Sequence, residues 1–153
     1  MPDERLSPHF YLSEFTHSQA AVRLGLDNSP PAAAVSNLRR LAQVLESVRT
    51  SLGNAPILVS SGFRSTAVNA AVGGAPSSAH LSGCAVDFTA PAFGSPRQIC
   101  RRLLDAGAVF DQLIFEGSWV HYAIPLPGTP LRRDVLTAVF ARGARVRYEK
   151  GLA

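Results

Sequence analysis

Ser78-Ala79-His80-Leu81-Ser82-Gly83-Cys84-Ala85-Val86-Asp87 sets an imidazole and a carboxylate seven residues apart, with a glycine between them. His80 is delivered by a small, polar run, Gly73 to Ser82, that reads as a loop. Asp87 lies in Ala85 to Phe88, which reads as the strand that follows, and Gly83 lets the chain bend between the two. A second imidazole arrives in Trp119-Val120-His121-Tyr122, inside a further apolar run, Trp119 to Ile124, with strand character. Catalytic zinc takes three protein donors of these types at about 2.0–2.2 Å and keeps a fourth position for water. A loop and two separate strands delivering His80, Asp87 and His121 satisfy that requirement. The expectation is one zinc ion per chain on these three residues.

Outward from this stretch, helix and strand patterns mix without strict βαβ alternation, which predicts an α+β fold. The longest helical pattern runs from about Ala32 to Leu52, where Val35, Leu38, Leu41, Ala42, Leu45, Val48 and Leu52 recur at three- and four-residue spacing. Gly53 ends it. A short helix is expected from Ser18 to Leu24, closed by Gly25, and one or two turns from Thr66 to Val72. Ser95-Pro96 is an N-cap followed by proline at the first helical position, opening a helix to about Ala106. Ile57 to Ser60 and Gln112 to Phe115 read as strands, the latter joined to Trp119–Ile124 by the Glu116-Gly117-Ser118 turn. Val135 to Phe140 and Ala144 to Tyr148 read as a final hairpin around Arg142-Gly143.

A chain of 153 residues is expected to be one domain, 1–153, with residues 1–11 as a mobile lead-in. At 46% hydrophobic residues and without a low-complexity tract, it should pack a core. No apolar run reaches about 18 residues, so no membrane span is expected. Met1-Pro2-Asp3-Glu4-Arg5 has no apolar run after it, so a Sec signal peptide is not expected either. Cys84 and Cys100 are too few for a disulfide framework and read as small buried hydrophobes. The net charge of +4 suits a polyanion such as a cell wall, but no zinc finger, helix-turn-helix or aromatic-basic repeat supports nucleic-acid binding.

The pattern S-x-H-x-x-G-x-A-x-D followed by W-x-H resembles the zinc peptidases that cut D-alanyl bonds in bacterial cell walls. These are the D-Ala-D-Ala carboxypeptidases, the D-Ala-D-Ala dipeptidases and the phage endolysins of the M15 peptidase type. Ser60-Ser61-Gly62-Phe63-Arg64-Ser65 looks like that family's GxRS element, sixteen residues before His80. Asn69 and Gly73-Gly74, Leu12-Ser13-Glu14-Phe15, Asn28-Ser29-Pro30-Pro31, Asp111 to Glu116 and Arg132 to Ala138 resemble the small phage-type branch, so the likeness runs from about Leu12 to Leu152. The resemblance implies a small antiparallel sheet flanked by helices, shared with Hedgehog-type signalling domains. It also implies a monomeric peptidase acting on peptidoglycan stem peptides. A phage or prophage enzyme would be made in the cytoplasm and released to the periplasm or wall.

The site roles follow from that resemblance and from side-chain chemistry. Peptide hydrolysis needs a base for the attacking water and an acid for the leaving amine, and one carboxylate serves both in turn. The wider family carries an acid three positions before its second His, where this chain has Ser118. Glu116, five positions before His121, is the nearest carboxylate and the expected base; Asp111 lies farther back. Arg64, with its planar fork, is expected to grip a substrate carboxylate or the scissile carbonyl, or else to pair with an acid such as Asp87. Ser61, Ser65 and Ser78 read as loop-capping hydroxyls, Ser78 also as a substrate donor. Trp119 should pack the site's floor, with Tyr122 on the opposite strand face. His17 lines the cleft or stays exposed at a helix start, and His9 has no assigned role. The competing reading is a zinc-bearing domain that binds the wall or a partner without hydrolysis, which Ser118 favours. An anchoring component of a phage particle is a third.

Overall fold

The computed structural model describes residues 2–153. Helix α3 (Ala32–Ser51) forms where the apolar stripe places it, and buries Leu38, Leu41, Ala42, Leu45 and Val48. Before it come β1 (Arg5–Ser7), β2 (Phe10–Tyr11), α1 (Leu12–Thr16) and α2 (Gln19–Leu24). After it follow β3 (Leu58–Ser61), α4 (Thr66–Ala71), a 3-10 turn at Ala79–Ser82, β4 (Ala85–Thr89) and α5 (Pro96–Asp105). The chain ends with β5 (Gln112–Phe115), β6 (Val120–Ala123), β7 (Asp134–Val139) and β8 (Arg147–Lys150). Ser95 caps α5 as expected: its hydroxyl accepts from the Gln98 N–H, and the Gln98 side chain accepts from the Ser95 N–H.

The fold is α+β, as expected, but beside a small antiparallel sheet it carries a larger one. Six strands lie in the order β3-β4-β6-β5-β7-β8, and β5 and β7 run parallel, so the sheet is mixed. The period of a strand says which face its residues take, not the direction of its neighbour. A separate two-stranded hairpin, β1-β2, lies within residues 1–11, the segment expected to be a mobile lead-in. Leu6 is only 8% and Phe10 1% exposed, both joined to the main core, and the Glu46 carboxylate accepts from the Ser7 hydroxyl and the His9 N–H. Helix α1, also unforeseen, is capped by the Glu14 carboxylate accepting from the Tyr11 N–H. Cys84 and Cys100 are buried free thiols, as expected.

Period-two alternation then divides the sheet into two chemically distinct faces. Val86, Phe88, Leu113, Val120 and Tyr122 point into the core with α3 and with Ile99 and Leu103 of α5. On the other face the register aligns Ser61, Asp87, His121, Ile114 and Leu136 in one row across five strands. The functional side chains belong to this second face. Among the described residues, no helix is long and apolar enough to cross a membrane.

Candidate metal centre

Two glycines allow His80 to reach the row. Gly83 takes φ +77° to close the 3-10 turn, and a Cβ there would lie 2.6 Å from the Ala34 carbonyl of α3. Gly62 lies so close to α1 that a Cβ would meet the Phe15 carbonyl at 2.5 Å, while the Phe63 N–H donates to that same carbonyl at 2.7 Å. This packing aims the Gly62 carbonyl at His80 Nδ1, 2.7 Å away. Ser78 starts the turn, its hydroxyl accepting from the His80 N–H at 3.2 Å. The expected capping role of Ser78 is therefore present, and the residue also borders the cavity over the row.

His80, Asp87 and His121 are all buried, and each offers a donor atom within 4.8 Å of the other two. A carbonyl only accepts, so the Gly62 contact places the His80 proton on Nδ1. The other ring nitrogen, Nε2, faces Asp87 Oδ1 at 3.2 Å. His121 Nδ1 faces the same oxygen at 3.1 Å, and His121 Nε2 is buried with no hydrogen-bond partner. Atoms converging in this way are satisfied by a ring proton or by a cation held among them. Burial pushes the Asp87 carboxyl up, but the His121 and His80 rings, which donate when protonated, outweigh it and hold the group well below the usual carboxylate range. The donor set fits a zinc ion: two imidazoles, one ionised carboxylate, and a backbone acceptor orienting the first imidazole.

Arg64 does pair with Asp87, Nη2 donating to Oδ2 at 3.3 Å, so the carboxylate is held from both sides. Its Nε donates to the Ser61 hydroxyl and its Nη1 to Asn69 Oδ1, each at 3.1 Å. Ser61 and Asn69 therefore orient the guanidinium, which still borders the cavity. Ser65 caps α4 instead, accepting from the Val68 N–H.

The cavity over the row is about 620 Å³ and is bordered by His80, Asp87, His121, Arg64, Glu116 and Trp119. The turn after β5 brings Glu116 into it, with the Glu116 N–H donating to the Trp119 carbonyl at 3.0 Å, whereas Ser118 is exposed and does not border it. Burial lifts the Glu116 carboxyl above its ordinary value, against the lowering effects of His121 and the Tyr148 hydroxyl. Asp111 does not join them: its carboxylate accepts from Arg132 through the backbone N–H, Nε and Nη2, beside a neighbouring cavity. His17 is exposed and borders a separate cavity on the other side of Arg64, while His9 pairs with Glu46. Tyr122 lies on the core face as expected, donating to the Val109 carbonyl. The residue that sequence reasoning missed is Tyr148, which borders the metal cavity from β8.

A family model described as peptidase M15 matches residues 8–123, about three-quarters of the chain. No curated protein matches it.

Proposed function

Since the chain belongs to the M15 peptidase family, we propose that it is a zinc-dependent peptidase hydrolysing bonds next to D-amino acids in peptidoglycan stem peptides. It would work as a D-Ala-D-Ala carboxypeptidase or as an endolysin-type endopeptidase. The observation that carries this reading is the His80–Asp87–His121 cluster, whose ligand-type atoms face one another in a buried site. Zinc held there would supply Lewis acidity, polarising a carbonyl and making water a better nucleophile. Glu116 takes a proton from the attacking water and returns it to the leaving amine. Its half-buried place in the cavity supports this role, because a base works best with a pKa lifted towards the working pH. Arg64 supplies N–H groups to the substrate's carboxylate or to the carbonyl as charge grows on it. Ser78 donates to the substrate from the rim. The chain works as a monomer.

The test is metal analysis together with mass spectrometry of peptidoglycan digested by the purified protein. One zinc per chain and newly freed peptide ends are expected. Glu116→Gln should keep the zinc and lower the rate about a hundredfold or more. A Gln variant that keeps the parental rate would remove Glu116 from the mechanism. Zinc bound without turnover of any D-alanyl peptide would select the binding-domain reading that Ser118 favours.

A further inference from the structure

Beyond the segment matched by the family model, β7 and β8 extend the functional face of the sheet. The register places their residues against the site. Ile114 pairs with Leu136, so Glu116, two residues on, stands level with Ala138, and Ala138 pairs with Tyr148. Glu116, Ala138 and Tyr148 thus form a second row, parallel to the one that holds the metal donors. The middle residue is an alanine, whose methyl leaves open the space that a tyrosine must cross to reach two strands away. Lys150, on the same face of β8, is drawn aside to Asp134 at 3.0 Å, and Arg147 on the other face pairs with Glu149. Tyr148 alone of this strand borders the metal cavity.

We propose that Tyr148 is a positioning residue: its hydroxyl donates to the Glu116 carboxylate across Ala138 and holds it towards the attacking water. The inference rests on the reading of Glu116 as the base. Tyr148 and Glu116 border the same cavity from strands set in register across Ala138, and burial together with the nearby Glu116 charge raises the phenol above its ordinary value. A free glutamate rotates about three bonds, so a fixed donor on one oxygen leaves the other oriented for proton transfer. A phenol suits the task, since it stays protonated and donates throughout the neutral range. Tyr148 is 49% exposed, so it adds little packing, and its contribution is directional.

The experiment compares the zinc-loaded parent, Tyr148→Phe, Glu116→Gln and the double variant on soluble muropeptides released from peptidoglycan by a muramidase. Tyr148→Phe should lower kcat about tenfold or more, change KM less than about twofold, and leave zinc content and Tm at the parental values. In the Glu116→Gln background the Phe substitution should have no further effect. The contact itself is read without turnover, by NMR of protein labelled at tyrosine Cζ. The chain has three tyrosines, and the signal lost in Tyr148→Phe should move in Glu116→Ala while the other two stay. An unmoved signal, a parental kcat, or a loss carried by KM would each overturn the proposal while leaving the peptidase reading intact. A parent that binds zinc but cleaves no muropeptide would overturn both, and would do so before any variant is compared.

Discussion

His80 shows how one backbone acceptor sets the chemistry of a side chain: the Gly62 carbonyl fixes the proton on Nδ1 and turns Nε2 into a donor for a cation. Arg64 is held in the same manner, with three of its nitrogens committed to Ser61, Asn69 and Asp87. The alternatives that the sequence left open for Arg64 are thus compatible, because a guanidinium has five N–H groups and three contacts leave others for substrate. Arg64→Lys keeps the charge and loses the fork, so activity should fall about tenfold or more with zinc retained. A lysine variant with parental turnover would reduce Arg64 to a strut for Asp87. The cluster of His80, Asp87 and His121 was legible as a candidate because ligand chemistry restricts residue type and because their spacing is local or strand-borne. Tyr148 was not, since its approach to Glu116 depends on strand pairing that no local pattern encodes.

Elements with a strong period or a good cap stand close to where their residues place them: α3, α5 and β5 are clear cases. What the sequence concealed is how β7 enters the sheet. The Asp111 carboxylate accepts three hydrogen bonds from Arg132, and the Asp111 carbonyl accepts from the Asp134 N–H at 2.9 Å, so this residue fastens the start of β7 beside β5. A parallel pairing of this kind is long-range, and a single aspartate carries no visible mark of it. Asp111→Asn should therefore cost about 1–2 kcal/mol, moderated by the exposure of the Arg132 side chain. Hydrogen bonds from Arg132, opposed by partial burial, hold the Asp111 carboxyl below its ordinary value. A carboxyl lowered by folding contributes stability above its unfolded pKa of about 3.9 and loses it as pH falls through the folded value. Thermal melts of parent and variant should differ by a constant amount near neutrality and converge in acid. Curves that stay parallel into acid would assign the loss to packing.

Across the whole molecule, the two ends of the chain both serve the site. The C-terminal hairpin borders the cavity with Tyr148, and the N-terminal hairpin supports it from behind. Phe10 packs on Phe15 with ring centroids 5.9 Å apart, and the Phe15 backbone presses on Gly62, whose carbonyl orients His80. Polarity and position made residues 1–11 read as a mobile lead-in, because two isolated hydrophobes, Leu6 and Phe10, show no period. Their burial against α3 is a tertiary effect. Phe10→Ala discriminates between the two views: a ring in a mobile segment would be lost at no cost, whereas a ring this deeply buried should cost about 3–5 kcal/mol. That is a large share of the roughly 5–15 kcal/mol typical of such a domain, so Tm should fall by many degrees. Zinc stoichiometry should hold at one per chain below the new Tm, since the Phe63 N–H bond to the Phe15 carbonyl does not involve the deleted ring. A parental melting curve would show that the hairpin does not pack on the core. Lost zinc in a variant that still melts cooperatively would mean that the Gly62 carbonyl depends on Phe10 more directly than through Phe15.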